Sequence, residues 1–505
     1  MKTNRNPATK EEMDYYISGL HASTIGTLKS RRPIKRLSHS YGSVAGLTIL
    51  FYVRLPKLTL SRKIDLPVMR PIRITTAILL LLLSISGLSQ EYRPLRKQAD
   101  SLYRIYDYRG AIPWYLKAVA AADFAYKKAD GLYQAATCYS LLGEKDSAMI
   151  VLSACIRAGF HDKAQLVKDK NLTPLHGGKE WEPLVASVIE EKKVLHADPK
   201  KSIIYTIDID LFWAAYDRAQ QDTANRVAIY KQYYFDKGSK GMQDYMGLKV
   251  SSIRAFVRHY DERPAFYRDI RNNTLRVDSL KPGMYACFDK LKAIYPQAVF
   301  PDIYFIMGAY TSAGTVTNAG LLLGVNQICA SENTPLGELT LWQKNVIQRF
   351  HEIPLIVAHE LIHFEQDSLM SQDDTTTLFN AEIEGMADFL GEMIAGKTIN
   401  QRLHIWAKGK EKKIWAAFIK EMYLNRYYNW MGNAEQERPD YPADQGYWVG
   451  YQICKAYYQQ AGNKQQAIYD MLHFKDSKAF LQESGWEKIV AGLPDGPDAG
   501  EEKKN

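Results

Sequence analysis

The sequence predicts an α+β fold that is mainly helical, with helical repeats leading into a second body that holds a small sheet; three observations carry this. Between Gln90 and about Lys193, small and large apolar residues return at an offset of 37 residues: Ala99, Ala111, Tyr115 and Ala118 recur as Ala136, Ala148, Leu152 and Cys155. The period then shortens. Asp302-Ile303-Tyr304-Phe305-Ile306-Met307 and Leu321-Leu322-Leu323-Gly324-Val325 read as strands on either side of a Gly/Thr/Ser/Ala loop, Gly308 to Gly320. Finally, His359-Glu360-Leu361-Ile362-His363 lies in a helical run, with an apolar surround of Ile356, Val357, Ala358, Leu361 and Ile362 and with Pro354 near its first turn.

From the N-terminus, the first expectation concerns export. Met69-Arg70-Pro71-Ile72-Arg73, the apolar run Ile74 to Leu83 and Ser84-Ile85-Ser86-Gly87-Leu88-Ser89 read as a signal peptide over 69–89, cleaved before Gln90. Its roughly 15 apolar residues fall short of the ~20 that a membrane span needs, so no stable span is expected after cleavage and the product is exported, periplasmic or secreted. Residues 1–68 then read as an upstream misannotation or a disordered arm. They carry twelve Lys and Arg against four Asp and Glu, and with Arg70 and Arg73 they account for all of the +9 net charge; from residue 74 onward the balance is −1, which gives no reason to expect nucleic acid. Residues 90–195 form the helical repeat, which resembles tetratricopeptide helix pairs. Tyr106 to Ala111 and Leu142 to Ala148 look like its inter-helix turns. Such a unit either recruits a protein partner or buttresses its neighbour. His196-Ala197-Asp198-Pro199 reads as a linker, Asp208 to Tyr267 as mostly helical and Tyr-rich, Trp406 to Tyr423 as another amphipathic helix, and 494–505 as a disordered acidic tail. Cys138, Cys155, Cys287, Cys329 and Cys454 read as buried thiols, neither a disulfide framework nor a metal site.

Candidate site residues follow from helix geometry. His359 and His363, four apart, share one face, so both imidazoles reach one metal, while Glu360 can meet a metal-bound water. The third ligand is expected from a separate helix, where Glu384-Gly385-Met386-Ala387-Asp388 supplies Glu384; Asp388, one turn on, suits a hydrogen bond to a ligating His, although it is also compatible with a solvated acid or with the ligand itself. Glu382 lies on another helix face and Glu365 points away from His363. His351, His404 and His473 read as ordinary core or surface histidines.

With these residues in place, the chain resembles the gluzincins, thermolysin-like zinc peptidases, and more closely a family of predicted zinc-dependent proteases of unknown-function type. Tyr304 to Gly324 and Gly446-Tyr447-Trp448-Val449-Gly450-Tyr451 extend that likeness over roughly 200–490. The resemblance implies a zincin-like domain over 196–493 and an edge strand beside the zinc helix that pairs with extended substrate. For this chain we expect Zn2+ on His359, His363 and Glu384, Glu360 as general base on a peptide or protein substrate, and Tyr447 or Tyr451 as oxyanion donor. A zinc amidase acting on cell-wall peptides and a helical-repeat adaptor with a silent zincin domain are the competing classes.

Overall fold

The computed structural model describes residues 91–494, apart from 367–368, 370–373, 434–435 and 439. The expected arm, the signal peptide and the tail beyond Pro494 lie outside the described residues. Among the described residues the chain is mainly helical with two small sheets.

Helices α1 (Tyr92–Arg104), α2 (Tyr108–Ala120), α3 (Ala125–Leu141) and α4 (Lys145–Arg157) pack each against the next. All eight positions of the 37-residue offset are buried to 1% exposure or less, so the small-large alternation is the core of this unit. Asp107 starts α2 by accepting from the Gly110 N–H at 2.9 Å, and Gly143, at φ +76°, turns the chain from α3 into α4. The unit is seated on the rest of the protein. Phe124 packs on Phe235 at 5.6 Å between ring centres, the buried Lys127 Nζ donates to the Gly247 carbonyl at 2.9 Å, and the Ile253 N–H donates to Asp123 at 2.7 Å.

Six short strands follow: β1 (Leu195–His196), β2 (Ile204–Tyr205), β3 (Phe300–Pro301), β4 (Ile303–Ile306), β5 (Gly314–Val316) and β6 (Leu321–Gly324). The expected linker is thereby tied in, because β1 pairs antiparallel with β3 and His196 Nε2 meets Asp302 Oδ1 at 3.1 Å. The larger sheet runs β2-β4-β6-β5, parallel except for β5, with Ile303 opposite Leu321 and Thr315 opposite Leu322. Both predicted strands are present, as fully buried β4 and β6. The Gly308–Gly320 stretch was expected as loop throughout and instead contains the edge strand β5. Its Gly/Thr/Ser/Ala composition hides a strand whose stability comes from backbone pairing with β6.

The site is built on and around α5 (Lys281–Ile294), α6 (Ile353–Glu365), α7 (Thr377–Ala395), α8 (Gln401–Ala407), α9 (Gln445–Gln460) and α10 (Trp486–Gly492), with α6 packed against β5. The helix expected over Trp406 to Tyr423 is two, α8 and a second over Glu411–Phe418, since Gly409 at φ +76° breaks the run. Thr376 caps α7 by accepting from the Phe379 N–H at 3.2 Å, and Gly396, at φ +87°, ends it. Helix α7 is buried on nearly every side because it lies between α6 and α9. A Cβ at Gly450 would collide with the Ala381 carbonyl and one at Gly385 with the Gly450 backbone, so these two glycines let α7 and α9 cross almost backbone to backbone. All five cysteines are free and buried, as expected. Among the described residues no helix is long and apolar enough to cross a membrane.

Candidate metal centre

Helix α6 carries His359 and His363 to the α7 face that bears Glu384 and Asp388. The two imidazoles point their Nε2 atoms at one spot, 3.2 Å apart. Glu384 Oε2 closes the triangle at 3.7 Å from His359 Nε2 and 3.5 Å from His363 Nε2. A tetrahedral zinc with bonds of about 2.0–2.1 Å sets its ligand atoms about 3.3 Å apart, so three protein donors stand close to the edges of that tetrahedron. These residues are the one three-ligand group of this kind among the described residues.

Each ring is held from behind. His359 Nδ1 meets Asp388 Oδ1 at 2.8 Å, and the other oxygen of this buried carboxylate accepts from Asn400 Nδ2 at 2.7 Å. His363 Nδ1 meets Gln366 Oε1 at 2.7 Å, and Gln366, fully buried, donates onward to the Ile383 carbonyl at 2.9 Å. An acceptor on Nδ1 fixes the tautomer that leaves Nε2 free to ligate. The sequence reading placed Asp388 here and missed Gln366 and Asn400. Gln366 sits three residues after His363 on the same helix face, which is a usable signal; Asn400 follows α7 and had none.

The electrostatics agree with a cation site. Burial disfavours charge on His359, yet hydrogen bonds to Asp388 and Glu384 outweigh it and lift its pKa to about 10. Burial also works against charge on His363, and the Glu384 carboxylate overcomes it, raising the pKa. Glu384 is pulled up by burial but held well below the usual carboxylate range by His363 and His359. A zinc ion would replace the imidazole protons in neutralising Glu384, because it binds neutral imidazole and ionised carboxylate.

The remaining predicted residues divide. Glu360 is buried, 9% exposed, with its carboxylate against β5, where a Cβ on Gly314 would collide with it. Tyr447 reaches the site: its ring stacks on His359 at 6.1 Å, and burial, followed by the Glu384 charge beside it, raises its pKa well above the tyrosine norm. Tyr451 does not. One turn further along α9, its hydroxyl is taken by Glu392 and its ring by His404 and Phe389, so the pairing of Tyr447 and Tyr451 as alternative donors is corrected to Tyr447 alone at the centre. Glu382, on another face of α7, stays away from the imidazoles as expected, and Glu365 is engaged by the Val299 N–H at 2.9 Å.

Residues 190–488 match the model of a family described as gliding motility protein GldB. No curated protein and no solved structure gives a significant match. The family match covers more than half of the chain, every site residue and both motifs behind the gluzincin resemblance, and it overturns that resemblance together with the zinc-peptidase reading and its protease assignment. A helix with two His one turn apart and a carboxylate opposite is a metal-binding geometry; it does not by itself specify peptide hydrolysis.

Proposed function

We propose that this chain, which belongs to the gliding motility protein GldB family, is an exported cell-envelope component that works among protein partners of a surface-motility apparatus, with a resident zinc ion joining α6 to α7 through His359, His363 and Glu384. The observation that carries the metal is the convergence of three donor atoms at 3.2, 3.5 and 3.7 Å, with both imidazoles braced from behind. Zinc suits an imidazole-carboxylate set and is redox-inert. Three protein donors leave one tetrahedral position for water or for a donor from a partner. Bound there, the ion contributes charge neutralisation of Glu384 and a tie between two helices that are distant in sequence. The α1–α4 unit, which we read as tetratricopeptide-like, offers the helical surface of a partner-binding or buttressing module.

The test has two arms. Purified full chain should carry about one zinc per molecule by elemental analysis, and a His359→Ala/His363→Ala double variant should carry none. In a gliding host, the same double variant should fail to restore colony spreading to a strain lacking the protein. Zinc absent from the wild type, or retained by the double variant, removes the metal; full spreading with a zinc-free variant removes its role in motility.

A further inference from the structure

The offset of 37 residues that relates the two helical hairpins, α1–α2 and α3–α4, also relates their turns. After α3, the Glu144 N–H donates to the Tyr139 carbonyl at 2.9 Å and the Gly143 N–H to the Ser140 carbonyl at 3.0 Å, with Gly143 at φ +76°. After α1, the Asp107 N–H donates to the Leu102 carbonyl and the Tyr106 N–H to the Tyr103 carbonyl, both at 3.0 Å, with Tyr106 at φ +62°. Both helices end in the same left-handed cap, where glycine is the norm. One of them holds a tyrosine. Space does not explain the difference, because a Cβ at Gly143 would meet nothing within 4 Å. Burial does not explain it either: Tyr106 is 79% exposed, Ile105 beside it is 69% exposed, and the Tyr106 ring stands edge-on to Tyr108 at 6.2 Å between centres. A bulky side chain in this conformation is strained, and such strain clusters where function uses it.

The adjoining face of α1 is basic. Arg93, Lys97 and Arg104 share one exposed stripe of the helix and form no ion pair among the described residues. The acids close by are engaged, Glu91 with Arg258 at 3.4 Å and Asp100 with Arg96 at 2.9 Å. We propose that the α1–α2 turn is a docking knob: Ile105 and Tyr106 enter an apolar pocket on a protein partner, and Arg93, Lys97 and Arg104 pair with carboxylates around that pocket. This rests on the reading of the chain as one that works among protein partners. The left-handed cap sets the direction of the ring before contact, which lowers the ordering cost of binding. A bilayer suits the face less well, because α1 has already buried its apolar side, Tyr92, Leu95 and Ala99, and leaves two apolar side chains to enter lipid.

In purified full chain, Tyr106→Gly relieves the strain, so its melting temperature should equal that of wild type or exceed it by up to about 3 °C, with zinc content unchanged. In a gliding host lacking the protein, Tyr106→Gly and, separately, Lys97→Glu/Arg104→Glu should each cut colony spreading at least about twofold. Benzoylphenylalanine in place of Tyr106 should give, on irradiation of that host, one protein adduct that Lys97→Glu/Arg104→Glu weakens at least about fivefold. A melting temperature lowered by more than about 2 °C would make Tyr106 a structural residue and overturn the proposal. It is overturned equally by full spreading with both variants, by no adduct or one indifferent to the charge reversal, or by an adduct with the mass of two copies of this chain. Flotation of the full chain on phosphatidylglycerol vesicles, abolished by the charge reversal, would assign the face to lipid and overturn it too. Lost spreading in His359→Ala/His363→Ala with full spreading in both knob variants would remove the knob and leave the proposed function standing.

Discussion

Glu382 and Glu384 stand two residues apart on α7, and their carboxyls meet opposite surroundings. Glu384 faces two imidazoles, keeps 29% of its side chain exposed and is held well below the usual carboxylate range. Glu382 is fully buried; both oxygens lack a hydrogen-bond partner among the described residues, its polar neighbours are Ser477 and the acids Asp374 and Asp476, and burial pushes its pKa well above the norm. One face of the helix therefore holds its carboxyl below the usual range and the other above it. The difference teaches that a carboxylate becomes a ligand by what its face of the helix meets, since composition and local sequence are shared.

The strongest way to break the contrast is to remove the ionised member. Glu384→Ala should abolish stoichiometric zinc, a loss of at least about 100-fold in affinity measured by competition with a chelator, whereas Glu382→Ala should leave zinc in place. Retention of zinc by Glu384→Ala would show that the two faces are not functionally distinct.

Next in size is the crossing that seats α7 on α9. Gly450→Ala puts a methyl into the Ala381 carbonyl and should destabilise the chain by about 1–3 kcal/mol in denaturant unfolding, by the usual scale of overpacking. An unchanged midpoint would mean that the helices can separate freely.

A subtler change sharpens the metal side. Asp388→Asn keeps the shape behind His359 but removes the charge, and it should weaken zinc about 10- to 100-fold without emptying the site at saturating metal. Equal affinity would make Asp388 a spectator.

The smallest effect is a slope. Because burial raises the folded pKa of Glu382 above its unfolded value of about 4.3, its stabilising contribution is complete below that pH and is lost as pH rises. Wild type should therefore lose melting temperature relative to Glu382→Gln as pH rises above about 4.3, with the gap widening upward. A gap that stays constant or narrows would show that Glu382 is ionised in the folded protein.

Legibility in the sequence followed locality. The four positions repeated at 37 residues, the buried strands β4 and β6, and the spacing of His359 to His363 rest on periodicity within one element, and the structure has them where the pattern puts them. Glu384 and Asp388 were readable because a second helix with acids one turn apart can serve the first. The edge strand β5 was not, because Gly314, Thr315 and Val316 owe their conformation to β6 and to the room Gly314 leaves for Glu360. Tyr451 misled for the opposite reason. Helical spacing from Tyr447 puts it on the right face, and only the tertiary contact with Glu392 takes it out of the site. Family identity ran deeper than the two motifs: what the chain is for does not follow from how it can hold a metal.

The glycine crossing also has a mechanical side. Where helices meet through long side chains, a displacement of one is absorbed by rotamer changes in the layer between them; where Gly385 and Gly450 bring main chain against main chain, that soft layer is missing. A displacement of α9 would meet little side-chain give at this crossing before it reached α7, and α7 carries Glu384 while α9 carries Tyr447 beside it. Strain entering from the surface of the protein would arrive at the triangle of His359, His363 and Glu384 as a change in the spacing of its corners.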